Sequence, residues 1–186
     1  IMNYQECSLE QLEKANNTDD KAICTLLSYL TKAGNDSVKK IVYVDMDGVL
    51  VDLHKAIKEY PEEMVKEAGN DIDKLPNLFL DPPPMQGAIE AFNVLCSLFD
   101  VYILSTAPWN NPEALMHKRL WVEKYLGKNA YKRLILSHNK HLNIGDFLID
   151  DRTANGAGEF TGEHIHFGTD KFPSWASVLD YLIPLS

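Results

Sequence analysis

The sequence predicts an α/β protein built on a doubly wound, Rossmann-like parallel sheet, and two observations carry that prediction. The hydrophobic period alternates along the chain between short, evenly apolar runs of strand length and longer segments with apolar residues three to four apart. Polar clusters also fall at the ends of successive apolar runs, which is where open parallel sheets gather their ligands.

Residues 1–39 read as an N-terminal helical extension. In it, "SLEQLEKA" offers Ser8 with Gln11 as a capping box, and "DDKAICTLLSYLTKAG" is an amphipathic helix ending near Gly34. Residues 40–186 are expected to form the core domain, opening on a buried strand from Ile41 to Val44. An insertion of about 53–84 follows, for which "HKAIKEYPEEMVKEAG" supplies one helix and "DPPPM" the end, since prolines stop helices and stiffen a hinge. "MQGAIEAFNVLCSLF" and "NPEALMHKRLWVEKYLG" are amphipathic helices. In the second, Asn111 is the N-cap, Pro112 the first helical residue and Gly127 lies just past the end. "DVYILS", "RLILS", "DFLID" and "EHIHF" are strands, short and evenly hydrophobic as in a sheet covered on both faces. "FPSWASVLDYL" closes the chain with a helix capped by Ser174.

Composition narrows the function. With 186 residues, 45% of them hydrophobic, the chain can bury a sizeable core. A net charge of −9 without a basic stripe argues against a nucleic-acid polymer as partner. Cys7, Cys24 and Cys96 are odd in number and far apart, which fits neither a disulfide framework nor a zinc site. No apolar run approaches the roughly 18 residues of a membrane span, so no membrane partner and a cytoplasmic location are expected.

The chemistry lies in "IVYVDMDGVLVD", where a hydrophobic strand runs into Asp45, Asp47 and Gly48. Converged carboxylates repel each other unless a cation neutralises them, and hard oxygen ligands of this kind suit Mg²⁺. Three further clusters stand at later strand ends: Ser105 with Thr106, Lys140, and Asp150 with Asp151. One carboxylate on such a metal can attack phosphorus while its neighbour moves the proton, and Lys140 adds positive charge for the phosphoryl oxygens.

"DMDGVL", "ILST", "LSHNK" and "FLIDD" resemble the four motifs of the haloacid dehalogenase superfamily of phosphohydrolases. "PPPMQGAIEAF", "LWVEKYLG", "LIDDRTANGAGEFTGEHIHF" and "PSWASVLDYL" are similar to the 5′(3′)-deoxyribonucleotidase family, so the resemblance runs from about Lys40 to Tyr181. It implies Asp45 as nucleophile, Asp47 as general acid and base, Ser105 as the hydroxyl that holds the phosphoryl group, and Lys140 as the lysine that orients the nucleophile. It also implies that Asp45, the Asp47 carbonyl and Asp151 hold Mg²⁺, while Asp150 stands behind them paired with Lys140; the residues alone leave an exchange of roles between Asp150 and Asp151 open. The substrate it implies is a small phosphate monoester, a pyrimidine deoxyribonucleotide such as dUMP or dTMP. The insertion would be a cap that closes on the site. The family's larger cap stacks aromatics on the base, whereas Leu53 follows "VLVD" here; Leu53, Phe79, Trp109 and Thr106 are the candidates to line the substrate pocket. A homodimer is compatible with this reading.

Competing readings are a superfamily phosphatase of sugar phosphates and a non-catalytic binding module of the same fold, the latter expected to have lost Asp45 or Asp47. A phospho-acceptor receiver domain would place its acceptor on a middle strand, after an acidic pair on the first, and this chain does not. His164 and His166 share a strand face and read as solvated histidines rather than ligands. Trp109 could equally anchor its loop by packing, and "PEEMVKE" is an ordinary solvated helix face.

Overall fold

Strands that are apolar on both faces need cover on both, and the sheet supplies it. The structure, a computed structural model, describes residues 39–186, of which Lys40–Ser186 form one compact unit. The expected capping box at Ser8 and the helix ending near Gly34 lie outside the described residues. The strands are β1 (Ile41–Val44), β2 (Asp100–Ser105), β3 (Leu134–Leu136), β4 (Phe147–Asp150) and β5 (Glu163–His166), all paired in parallel in the order β3-β2-β1-β4-β5. The order reverses at β1. The chain steps from β1 outward to β3 and returns to β4 on the other side, so the carboxyl end of β1 lies at a topological switch point.

The helices are α1 (Leu53–Ile57), α2 (Glu62–Ala68), α3 (Ala88–Leu98), α4 (Glu113–Tyr125) and α5 (Trp175–Leu182). Alternation along the strands sends Val42, Val44, Ile103 and Ile149 to one face, where Phe92 and Leu95 of α3, Trp121 of α4 and Val178 of α5 bury them. Tyr43, Leu104 and Leu148 point the other way and meet Ala157 and Phe160, because the connections after β3 and β4 carry only single 3₁₀ turns. The cap predictions hold at Gly127 and Ser174, while α4 begins one residue later than expected, at Glu113 with Pro112 in the cap position. The Asn111 side chain accepts from the Ala114 amide at 3.3 Å, Gly127 sits at φ +54°, and Ser174 forms a capping box with Ser177.

The 53–84 insertion differs from expectation by holding two short helices, α1 and α2, instead of one. Pro61 is extended (ψ 135°), and its ring and missing N–H break the helix between Ile57 and Glu62. Its Ala56, Leu75, Leu78 and Phe79 make a second apolar cluster with Ala107 and Ala114 of the core. The far end is fastened by α4, whose Trp121 indole donates to the Pro82 carbonyl at 2.8 Å and whose Lys124 pairs with Asp81 at 2.6 Å.

One long-range bond steadies the loop after β1. The buried Trp175 indole donates to the Val49 carbonyl at 3.0 Å, across 126 positions of chain. Trp175→Phe keeps most of the apolar contact and orphans that carbonyl, so it is expected to cost about 1–2 kcal/mol in urea unfolding. An unchanged midpoint would show that Val49 is not held by this bond.

Candidate active site

Strand β1 delivers Asp45 to the switch point, and the Asp45 amide continues the ladder by donating to the Ile149 carbonyl at 2.9 Å. The chain then folds back sharply, with Leu50 and Val51 both donating to the Met46 carbonyl at 2.8 Å and Gly48 at φ +77°. Gly48 is required twice over. An L side chain rarely adopts that conformation, and a Cβ there would lie 2.3 Å from Asp151 Oδ2. Absence of a side chain is therefore what lets the carboxylates after β1 and β4 approach each other.

Asp45, Asp150 and Asp151 each bring an oxygen within 4.8 Å of the others. Lys140, buried on the 3₁₀ turn after β3, forms an ion pair with Asp150 Oδ2 and lies 3.0 Å from Asp45 Oδ1. The second contact is close enough for an ion pair but off hydrogen-bond geometry, so Asp45 Oδ1 stays without a donor, as does the buried Asp151 Oδ1. Asp150 has no such vacancy: Lys140 takes one oxygen and the Arg152 amide donates to the other at 2.9 Å. Burial, then the charge of Asp45, pushes the Asp151 carboxyl up to about 6. The same two causes raise Asp150, against Lys140.

A second lysine is present that sequence reasoning did not single out. Lys118 of α4 is 1% exposed and donates to Asp47 Oδ2 at 2.6 Å and to Ser105 Oγ at 3.2 Å, with its ammonium 5.2 Å from the centre of the Phe79 ring. A signal for it existed in the helix pattern. Lys118 shares the inward stripe of α4 with Ala114, Trp121 and Val122, and a cation on a buried stripe requires a buried partner. Burial raises the Asp47 carboxyl, Lys118 opposes that, and Asp45 adds to it.

The remaining expected site residues divide. Thr106 and Trp109 line a cavity of about 290 Å³ beside Asp47, along with His138, Arg152 and Asn155. Thr106 also donates to the Ser137 carbonyl at 2.8 Å. Leu53 and Phe79 are not on that wall: Phe79 is buried under Lys118, and Leu53 is wedged between the two apolar clusters. His164 and His166 stack on one strand face, 5.2 Å apart and half-buried, as expected. Their Nε2 atoms meet the carbonyls of Asp150 and Asp151 at 3.3 and 2.9 Å, which steadies the acidic pair from behind. A larger cavity of about 600 Å³ between α4 and β3 contains none of these groups.

Removing a cation that favours an ionised carboxylate raises its pKa further. Lys118→Met is thus expected to move Asp47 still higher in a carboxyl-carbon NMR titration, and an unmoved Asp47 would show that Lys118 does not control it.

A family model described as "5′ nucleotidase, deoxy (Pyrimidine), cytosolic type C protein" matches residues 71–174, a span that holds Ser105, Lys118, Lys140, Asp150 and Asp151. A protein of Vibrio phage KVP40 named "Putative 5′(3′)-deoxyribonucleotidase" is 60% identical over 144 residues, covering 77% of this chain and 85% of that one. A protein of the same name from Bordetella pertussis is 33% identical over 151 residues (67% and 81%). The human "5′(3′)-deoxyribonucleotidase, cytosolic type" is 32% identical over 157 residues (68% and 78%). With a parallel sheet whose switch point gathers the four acidic, hydroxyl and lysine motifs, the chain belongs to the 5′(3′)-deoxyribonucleotidase family of haloacid dehalogenase-type phosphatases, hydrolases of phosphoric monoesters.

Proposed function

We propose that the protein is a magnesium-dependent phosphomonoesterase that dephosphorylates nucleoside monophosphates, pyrimidine deoxyribonucleotides above others, through an aspartyl-phosphate on Asp45. The observation that carries this reading is the pair of buried oxygens, Asp45 Oδ1 and Asp151 Oδ1, that have no hydrogen-bond donor inside a group of three carboxylates. Such atoms fit a divalent cation, and Asp45 and Asp151 would hold Mg²⁺ with the Asp47 carbonyl. Asp150, with both oxygens engaged, fits a supporting place. When bound, the ion offsets the charge of the carboxylates and of the phosphoryl oxygens.

The chain's own groups do the rest. Asp45, steadied by Lys140, attacks phosphorus, and the bond from phosphorus to the ester oxygen breaks. Asp47 gives that oxygen its proton, then takes one from the water that cleaves the acyl-phosphate. A general acid must carry a proton at the working pH, and burial favours that at Asp47 while the Lys118 ammonium holds its geometry. Ser105, kept in place by Lys118, offers its hydroxyl to the phosphoryl group. Residues 53–84 act as a cap over the site, and residues 1–39 as an N-terminal extension. The substrate is a small molecule rather than a nucleic-acid polymer. A cytoplasmic location is supported by the human relative's cytosolic name. Among the described residues no helix is long and apolar enough to cross a membrane. A homodimer is part of the proposal and is read by sedimentation.

Phosphate release from dUMP, dTMP, sugar phosphates and an aryl phosphate, with magnesium and with chelator, tests the reading. Chelator should abolish turnover, and kcat/KM should be highest for the deoxynucleotides, with about a tenfold preference over the ribo forms if the 2′-hydroxyl is buried unpaired. Equal rates on sugar phosphates would point to the broader phosphatase, and no turnover at all to a binding module. Asp45→Asn should lose several orders of magnitude in kcat, because an amide cannot form the acyl-phosphate. Near-normal turnover would demand another nucleophile.

Metal binding should also show in stability. In the metal-free protein the folded Asp151 pKa of about 6 lies above the ordinary 3.8, so its contribution is fully present below about pH 4 and is lost as the pH rises through 6. Magnesium relieves that loss. Its addition is expected to raise Tm more at pH 7.5 than at pH 5, and equal shifts would separate the ion from Asp151.

A further inference from the structure

The cavity beside Asp47 has one aromatic corner, and both of its rings come from core loops. Trp109, four residues after Ser105, is 85% exposed, so it does not anchor its loop by packing. Its ring meets that of His138 edge-on, with centroids 5.8 Å apart at 71°, and both rings line the cavity. His138 lies two residues before Lys140, so each ring stands on a loop that a buried catalytic candidate already fixes. The 53–84 segment offers the cavity no ring. It contributes Asp71, Asp73 and Lys74, while its Phe79 is buried against Lys118 and its Tyr60 hydroxyl donates to the Pro76 carbonyl.

We infer that the nucleobase is recognised by the core, stacked on Trp109 with His138 closing the corner, rather than by an aromatic side chain of the cap; this rests on the nucleotide reading above. An exposed indole is a costly surface unless something covers it, and a base has the flat π-face that does so. The edge-on imidazole restrains rotation of the indole, which lowers the ordering cost of binding. Asn110 and Asn155, also on the wall, present amides that can both donate to and accept from a base edge. Asn111 is not available for that: its amide nitrogen is committed to the Asp73 carbonyl and its oxygen to the Ala114 amide.

The other two of the chain's three tryptophans, Trp121 and Trp175, are 1% and 3% exposed, so Trp109 is the solvent-accessible fluorophore. In the Asp45→Asn protein with magnesium, dUMP is expected to quench the emission and shield it from iodide. Deoxyribose 5-phosphate, which has the sugar and no base, should do so far less, and the dUMP response should vanish when Trp109→Phe is added. In the turnover-competent protein, Trp109→Ala should lower kcat/KM about tenfold more for dUMP than for deoxyribose 5-phosphate, mainly through KM, and His138→Ala about threefold more. Trp109→Phe should recover most of that loss. A strong wild-type preference for dUMP that neither variant reduces, or a dUMP quench that survives Trp109→Phe, overturns this inference and leaves the nucleotide reading intact. Equal wild-type kcat/KM for dUMP and deoxyribose 5-phosphate overturns both.

Discussion

The molecule depends on one electrostatic problem, the crowding of four carboxylates at the carboxyl ends of two adjacent parallel strands. Asp45, Asp47, Asp150 and Asp151 share the site with the buried ammonium groups of Lys118 and Lys140 and with the Arg152 guanidinium 3.9 Å from Asp151 Oδ1, which leaves an excess of negative charge when all are ionised. Burial makes that excess expensive, and it is the reason the Asp47, Asp150 and Asp151 carboxyls are all pushed upward. The magnesium ion proposed above would supply positive charge against that excess and toward an entering phosphate ester. The same crowding explains the glycine at Gly48, the only residue type that lets Asp151 come this close.

Helix α4 links that site to the insertion. Its inward stripe carries Lys118 to Asp47 and Ser105, its Trp121 and Lys124 hold the insertion's end at Pro82 and Asp81, and Asn111 before it holds the Asp73 carbonyl. A helix moves as a rigid unit, so the position of the proposed cap and the placement of the Asp47 partner are mechanically related. The stacked His164 and His166 play a comparable part on the other side by bonding the carbonyls of Asp150 and Asp151.

The family's usual means of holding a base, aromatics from a large cap, is reduced in this chain to a short insertion whose Phe79 faces inward under Lys118 and whose Tyr60 bonds the Pro76 carbonyl. An exposed Trp109 backed by His138 offers an alternative that leaves the catalytic geometry alone, since both residues sit outside the carboxylate cluster on loops already anchored by Ser105 and Lys140.

The sequence by itself determined the alternation of strands and helices, the helix caps at Gly127 and Ser174, and the acidic, hydroxyl and lysine motifs, because each is written in short-range periodicity or in a local pattern at a strand end. The insertion was less legible: Pro61 breaks what reads as one helix, a local signal outweighed by the apolar spacing around it. The stripe that Lys118 shares with Ala114, Trp121 and Val122 signals a buried partner, but tertiary structure alone decided that the partners are Asp47 and Ser105. It also decided that Asp150 and not Asp151 has its oxygens filled, that the two half-buried histidines meet the Asp150 and Asp151 carbonyls, and that Phe79 turns inward while Trp109 stays out. These outcomes share a physical reason. Each depends on which distant group occupies the space beside a side chain, and residues far apart along the chain, such as Lys118 and Asp47, become neighbours only once the sheet order has been set.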